Sequence, residues 1–147
     1  SDVTLRWNPR SMSPRVSLSL VEEFGGDMLR GFRGATRLQA DDAAEMEEAV
    51  SELVAEMLRR NNLHTDDLVS MFLTNTPDLH CAFPAAAVRQ AGLVDVPLLC
   101  ATEIDVVGAM PKVVRVMLHA ESQLSRAEVQ HVYLRGTEDL RRDISPA

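Results

Sequence analysis

The sequence predicts an α+β domain, because segments typical of strands and of helices follow one another in the order strand, helix, strand, helix and then several strands. Its 147 residues suffice for one domain with a real core and are too few for two ordinary domains. Apolar residues make up 46% of the chain but aromatic residues only 4%, so we expect a core of Val, Leu, Met and Ala.

The clearest periodic signals lie in the first half of this domain. The run LRGFRGAT from Leu29 predicts a strand whose glycines admit close backbone approach. Residues 41–60 predict a helix that Asp41 or Asp42 caps. The apolar positions of this helix recur at helical spacing: Met46, Val50, Leu53, Val54 and Met57. Residues 68–74, LVSMFLT, predict a buried strand.

Shorter elements fill the second half. The segment NTPDLHCAFP is loop-like because Pro77 and Pro84 interrupt regular structure. We then expect a short helix at residues 85–91 and two strands, VPLLCA and residues 112–120. One helical turn at residues 125–130 and a final strand, HVYL, follow.

We divide the chain into an N-terminal extension, residues 1–27, and a compact domain, residues 28–147. The extension mixes Arg, Ser, Pro and Gly without clear periodicity, and a flexible tail is its simplest interpretation. Its apolar stretch VSLSLV is too short for a secretory signal, and two glutamates follow it at once. No apolar run approaches the length of a membrane span, so we expect a cytoplasmic protein.

The charge and cysteine content narrow the class of partner. A net charge of −7 argues against nucleic acid or an anionic membrane as the main partner. It allows a small anionic ligand, because such a site needs only local positive charge. Cys81 and Cys100 lie far apart without metal-binding or redox spacing, and we expect both to be reduced thiols.

Four polar residues do not fit a plain core. Arg115 lies within VVRVML, where a buried cation is costly unless it is paired or binds an anion. The alternative is an arginine at a sheet edge whose stem packs while its head reaches water. Arg33 repeats the pattern between glycines. Glu103 follows VPLLCA, where a carboxylate commonly caps a turn, and Tyr133 lies in a strand, where core packing is its usual role.

The common catalytic motifs are missing from this sequence. It contains no phosphate-binding loop, dinucleotide motif or nucleophile elbow, and its four histidines show no metal-ligand spacing. The sequence therefore offers no recognisable motif for a metal or a cofactor. Arginines and one carboxylate within apolar strands remain, and planar guanidinium groups with several donors suit the recognition of a small polyanion.

Five segments, in order, resemble the monofunctional chorismate mutases of the Bacillus type: RGFRGAT, NTPDLHCAFPAAAVR, VPLLCATEIDVVG, RVMLH and HVYLRG. The resemblance covers about residues 28–144. It implies an isomerase that rearranges chorismate to prephenate, without a cofactor, in phenylalanine and tyrosine biosynthesis. It also implies a homotrimer in which each subunit contributes a mixed β-sheet packed with helices. The three sheets would surround a pseudo-α/β-barrel, with active sites between neighbouring subunits.

The resemblance further implies which residues contact the substrate. One subunit contributes Arg33, Leu99, Cys100, Ala101, Thr102, Glu103, Arg115 and Tyr133. The adjacent subunit contributes Phe83, Ala85 and Arg89, and Leu140 belongs to a C-terminal segment that covers the substrate.

A concerted rearrangement gives these residues distinct tasks. Arg33 and Tyr133 are expected to hold one substrate carboxylate, which helps to fold the flexible side chain of chorismate over its ring. Arg115 is expected to stabilise negative charge that develops on the ether oxygen. Glu103 is expected to accept a hydrogen bond from the ring hydroxyl, which Cys100 helps to place.

Three positions depart from the family pattern. Ala86 stands where relatives often carry a lysine at the cleft rim, which predicts weaker electrostatic capture of substrate with intact chemistry. Leu99 replaces a small polar residue, a change that a backbone contact would survive. The chain is short after Ile144, so we expect an abbreviated covering segment.

Other interpretations of the sequence stay open. A trimeric imine or enamine deaminase would also bind a carboxylate through an interface arginine, but the segments TEIDVVG and TPDLHCAFP argue against it. A second alternative is a non-catalytic trimer that binds a metabolite of the aromatic pathway, although a degenerate sensor could have lost Arg33, Glu103 or Arg115. Residues 1–27 are a candidate for regulation or for binding a partner.

Overall fold

The computed structural model describes residues 27–141. Apart from Asp27, the extension predicted for residues 1–27 lies outside the described residues. The segment from residue 142 onward, which includes Ile144, lies outside them as well.

Five strands and two α-helices make up the described part of the chain. The strands are β1 (Met28–Arg37), β2 (Leu68–Asn75), β3 (Leu98–Thr102), β4 (Val113–Ser122) and β5 (Val132–Tyr133). The helices are α1 (Ala43–Arg60) and α2 (Pro84–Gln90), and short 3-10 helices span Thr65–Asp67 and Thr137–Arg141. These elements confirm the predicted α+β class and the predicted order of strands and helices.

The strands form one mixed sheet in the order β3-β2-β4-β1-β5. Strand β4 runs antiparallel to its neighbours β2 and β1, whereas β3 lies parallel to β2 and β5 parallel to β1. Ala35 and Thr74 both stand opposite Arg115, and Arg33 and Phe72 both stand opposite Met117. Directly paired residues project from the same face of a sheet, so these six residues share one face.

Helix α1 forms where an amphipathic segment follows a capping aspartate. Asp42 is the N-cap, and its Oδ2 accepts the N–H of Glu45 at 2.9 Å. The helix buries the whole predicted stripe and, in addition, Ala49; its buried residues are Met46, Ala49, Val50, Leu53, Val54 and Met57. At the other end, Nδ2 of Asn61 donates to the carbonyl of Gln130 at 2.8 Å, which ties the helix to the segment before β5.

Both helices pack on one face of the sheet and bury the core there. The largest buried side chains that the sheet contributes to this core include Phe32, Met71, Leu73 and Leu118. We call the other face, which carries Arg33, Thr74 and Arg115, the open face. Within residues 27–141, neither α-helix packs on the open face.

Gly34 marks a close approach between β1 and α1. A Cβ atom at this position would overlap Sδ of Met57 and would lie 3.0 Å from Cδ1 of Leu53. Both of these side chains are buried in the core. Glycine is therefore required here for space, which agrees with the close approach expected from the glycines of LRGFRGAT.

We expect Gly34→Ala to lower the free energy of unfolding by about 1–3 kcal/mol, because the added methyl group must displace buried side chains. Urea denaturation followed by circular dichroism measures this difference. Gly31→Ala is the matched control on the same strand, because its added Cβ would come no closer than 3.6 Å to Sδ of Met117. Equal losses of stability in the two variants would contradict the steric explanation.

Two elements predicted in the second half of the chain differ in extent from those in the structure. The helical turn expected at residues 125–130 is a hydrogen-bonded turn in which the N–H of Val129 donates to the carbonyl of Ser125 at 3.2 Å. The strand expected over HVYL contains only Val132–Tyr133. It is shorter because the ring of His131, and not its main chain, accepts the N–H of Arg33 on β1.

Among the residues described, no helix is both long and apolar enough to cross a bilayer.

Candidate active site

The open face carries two of the arginines that the sequence singles out. Because β4 lies between β2 and β1, Thr74, Arg115 and Ala35 stand side by side across three strands. Arg33 lies on β1 opposite Met117, two residues along β4 from Arg115. The strand order therefore brings two arginines that are distant in sequence onto adjacent strands and onto the same face.

Arg115 and Glu103 form an ion pair, with Nε of Arg115 2.9 Å from Oε1 of Glu103. The Thr74 hydroxyl donates to the same carboxylate oxygen at 2.7 Å. The Glu103 side chain is 16% exposed and the Arg115 side chain is 51% exposed. The carboxylate is thus largely withdrawn from water, while the guanidinium remains open to a ligand.

The main chain sets the position of Glu103. This residue directly follows β3, and its N–H donates to the carbonyl of Asn75 at 2.9 Å, which prolongs the pairing of β3 with β2. The Asn75 amide donates in turn to the carbonyls of Thr76 and Leu79, at 2.9 and 3.2 Å. The loop after β2 is therefore anchored, and the Glu103 carboxylate reaches across the sheet to Arg115.

Two cavities open beside this ion pair. The smaller, of about 300 Å³, is lined by Arg33, Arg115, Tyr133 and Leu140 together with apolar parts of the sheet. The larger, of about 750 Å³, is lined by Glu103, Arg115 and Leu140 together with the loops that follow β2 and β3. Arg115 and Leu140 border both cavities, so the ion pair lies at the boundary between them.

The smaller cavity is cationic. Arg33 and Arg115 both line it, and within residues 27–141 Arg33 makes no ion pair with a carboxylate. Guanidinium groups bind carboxylates through two parallel hydrogen bonds, so this arrangement suits a small ligand with carboxylate groups. No group of three His, Cys, Asp or Glu side chains in the described range is placed to hold a metal ion.

Arg141 is a further cation near this cavity, and sequence reasoning missed it. Its guanidinium carbon lies 5.7 Å from the centre of the Tyr133 ring, within the range of a cation–π interaction. The buried Thr137 hydroxyl donates to the carbonyl of Ala35 at 3.1 Å and so holds the 3-10 helix that carries Arg141 against β1. In the sequence, Arg141 is one of several charged residues near the C-terminus, and no pattern distinguishes it.

His131 is a second residue that sequence reasoning missed. Its Nδ1 accepts the N–H of Arg33 at 2.9 Å, which requires a neutral ring with the proton on Nε2. Burial lowers the pKa of His131 below its ordinary value, and the charges of Arg33 and Arg141 lower it further. In the sequence, His131 is the first residue of the predicted strand HVYL, and that position does not indicate this contact.

The stretch from Leu99 to Thr102 lies on the edge strand β3 and borders neither cavity of its own chain. Leu99 is 59% exposed, and Ala101 and Thr102 are exposed as well. Cys100 is paired with Leu73, which is fully buried, and it packs against the core on the helix-covered face. A contact between Cys100 and a ligand on the open face would therefore use its main chain and not its thiol.

The three residues expected from an adjacent subunit lie at α2. Phe83 is the N-cap residue and is 75% exposed, and Arg89 is exposed in the last turn of the helix. Ala85 is buried against the core. None of the three borders the two cavities of its own chain. Their contacts with a substrate stay a prediction.

Sequence comparison places this chain among known enzymes. The model of the family described as "Chorismate mutase type I" matches residues 29–144. "Chorismate mutase AroH" from Bacillus subtilis (strain 168) is 39% identical to it over 119 residues, which cover 80% of this chain and 94% of the relative. The protein of the same name from Thermus thermophilus is 40% identical over 121 residues, covering 82% of this chain and 99% of the relative.

Structural comparison agrees with these matches. A solved chorismate mutase from Clostridium thermocellum superposes with a TM-score of 0.73 at 38% identity, over 75% of this chain and 98% of the other. The family model spans nearly all of the described residues, and the two relatives are matched over almost their whole lengths. The chain belongs to the type I chorismate mutase family.

Proposed function

We propose that this chain rearranges chorismate to prephenate on the open face of its sheet. The observation that carries the proposal is the pair Arg33 and Arg115, which line one cavity beside Glu103 in a chain of the type I chorismate mutase family. Chorismate is a dianion with two carboxylates. We assign one carboxylate to Arg33 and Tyr133. Arg115 lines the same cavity, where it can contact the rest of the chorismate molecule.

The enzyme must orient the reacting groups of chorismate as well as stabilise the charges of the transition state. One carbon–oxygen bond breaks while a carbon–carbon bond forms within the same molecule, and neither a nucleophile nor a proton transfer takes part. The enzyme must hold the flexible enolpyruvyl group over the ring, which lowers the entropic part of the barrier. A cavity of about 300 Å³ with cations on two adjacent strands suits that task.

Electrostatic stabilisation acts on the charges that the transition state separates. Negative charge gathers on the ether oxygen, and we assign Arg115 to that atom. Positive charge develops on the ring, and we assign the Glu103 carboxylate to face it and to accept a hydrogen bond from the ring hydroxyl. Groups that are already oriented bind the transition state more tightly than the substrate, and this difference lowers the barrier. The Thr74 hydroxyl, 2.7 Å from Oε1 of Glu103, keeps the carboxylate oriented.

We propose that the active enzyme is a homotrimer whose sites lie between subunits. The open face and the loop after β3 expose large apolar side chains, with Leu29 60%, Leu99 59% and Ile104 86% exposed. Large apolar side chains that are exposed in a single subunit suit contacts between subunits, and identical copies that assemble head to tail form a ring where the rotation between them closes. Exposed Phe83 and Arg89 on one subunit would then complete the cavity of its neighbour.

Incubation of the purified chain with chorismate tests the proposed activity directly. We expect chorismate to be consumed and prephenate to form in equal amount. Tight binding of chorismate without turnover would favour the non-catalytic alternative instead. The family assignment does not favour the trimeric imine or enamine deaminase.

A mixing experiment tests the proposed position of the sites. Arg115→Ala and Arg89→Ala would each be inactive alone, because each removes one part of every site. Random reassembly of equal amounts is expected to restore about a quarter of the wild-type activity, since one site in four would join an intact Arg115 to a neighbour's intact Arg89. Activity that stays at the level of the separate variants would contradict a site shared between subunits.

We further propose that this reaction takes place in the cytoplasm and supplies phenylalanine and tyrosine biosynthesis. Both Cys81 and Cys100 are free thiols, which suits a reducing compartment.

Ala86 is half-buried in α2, so a small residue is compatible with its surroundings there. We expect the loss of a cationic rim residue at this position to slow substrate capture while leaving turnover unchanged.

A further inference from the structure

We infer that His131 is a positioning residue, which holds the main chain of β1 at Arg33 in the geometry that binds substrate, and does so only while its ring is neutral. This inference rests on the proposed function, because it assigns Arg33 to a substrate carboxylate. His131 itself lines neither of the two cavities at the ion pair, so it would act through Arg33.

The hydrogen bond from Arg33 to His131 replaces a contact that a longer β5 would make. Strand β5 pairs with β1 only at Gly34 and Ala35, through Val132 and Tyr133. One residue before this pairing, the ring of His131 accepts the N–H of Arg33 at 2.9 Å. A partly buried N–H that loses its acceptor is costly, so removal of the ring would favour a shift of the main chain at this point.

The guanidinium of Arg33 depends on its main chain for its position. Among the residues described, no carboxylate forms an ion pair with it, whereas Arg115 is held by Glu103. A small shift of β1 at Arg33 would therefore change its distance to Arg115 directly. Substrate binding by two arginines on adjacent strands needs their separation to be kept within a fraction of an ångström.

The charges around His131 oppose its protonation. A groove of about 330 Å³ on this side of the sheet is lined by His131 with Arg30, Arg33 and Arg126, and by no acidic residue within the described range. Arg141, on the 3-10 helix, adds a further positive charge. Burial together with these cations lowers the pKa of His131, so the ring stays neutral and its Nδ1 stays an acceptor near pH 7.

The direction of the pH effect follows from the lowered pKa. When the pH falls through the value in the folded protein, the ring gains a proton on Nδ1 and the hydrogen bond with Arg33 is lost. Substrate affinity is then expected to decrease at acid pH. The unfolded chain binds this proton already near the ordinary value of about 6.5, so acidification below that value also lowers the stability of the folded state.

Steady-state kinetics with chorismate, measured across pH on the assembled enzyme, test the inference with two variants. His131→Leu removes the acceptor and is expected to raise KM about tenfold, with little change in kcat. His131→Asn places an amide oxygen near the position of Nδ1 and does not titrate, so it should restore KM near neutral pH. It should also abolish the rise in KM that we expect for the wild type at acid pH. His64→Asn is the control, because His64 is exposed and lies before β2, at the opposite end of that strand from Thr74.

Two outcomes would overturn the inference. One is a His131→Leu enzyme with the wild-type KM, and the other is a His131→Asn enzyme that keeps the acid-dependent rise in KM. If His131→Leu does not fold, the comparison of wild type with His131→Asn across pH still decides. A wild-type protein that forms no prephenate would instead overturn the proposed function, so the two failures are distinguishable.

Discussion

The Arg115→Ala enzyme is expected to fold and to keep the oligomeric state of the wild type, but to turn over chorismate about 10³-fold more slowly. The guanidinium of Arg115 is held by Glu103 at 2.9 Å and borders both cavities of the open face. In the proposed mechanism it contacts the ether oxygen, whose charge exists mainly in the transition state. Its removal should therefore lower kcat more than it raises KM.

Arg115→Lys separates charge from geometry. A lysine keeps the positive charge but offers a single ammonium group, which cannot contact Glu103 and the substrate in the way a planar guanidinium does. We expect kcat to stay well below the wild-type value in this variant too. Prephenate formation by purified protein measures both effects, and Arg59→Ala, which removes an exposed arginine of α1, is the matched control. Near-normal turnover by Arg115→Ala would remove Arg115 from the mechanism.

Glu103→Gln is expected to lower kcat by about 10²-fold, and Glu103→Ala by more. Glutamine has nearly the shape of glutamate and keeps an oxygen that accepts from Thr74, so the loss in this variant reports the negative charge itself. Alanine also removes the hydrogen-bond acceptor for the ring hydroxyl, and it leaves Arg115 without its ion-pair partner. The difference between the two variants therefore measures the hydrogen bonding and positioning by this side chain.

The control for the Glu103 variants is Glu56→Gln, which neutralises a surface carboxylate that pairs with Arg59 and Arg60 on α1. Exposed ion pairs contribute little to stability, so this variant should keep the wild-type kinetics. A Glu103→Gln enzyme with wild-type kcat would show that the charge of Glu103 does not act on the transition state. Thermal unfolding of each variant establishes that the kinetic changes do not come from loss of folded protein.

Local patterns were enough to predict the main elements of the fold. Helix α1 follows from apolar residues at helical spacing behind Asp42, and the structure buries that stripe as predicted. Strand β4 follows from the long apolar run around Arg115. The extent of β5 did not follow, because its pairing is shortened by the ring of His131, and such a contact depends on a neighbour distant in sequence.

The candidate site was likewise predictable from the sequence only in part. Arg33 and Arg115 attract attention from sequence alone because charged side chains within apolar strands need partners or ligands, whereas Glu103 follows a strand and is assigned to the site through the resemblance. Arg141 and His131 attract none, because nothing in their immediate neighbours marks them. The direction of Cys100 was also beyond the sequence, since strand register and not residue type places its thiol on the helix-covered face.

The sequence by itself determined the α+β class, the position of α1 and the presence of cations in strands, since each of these depends on residue types at short and regular spacing. Only the tertiary structure decided that β4 lies between β2 and β1, and so that Thr74, Arg115 and the strand of Arg33 are neighbours. The physical reason is that strand order and register arise from contacts between distant segments, whose packing no local pattern specifies.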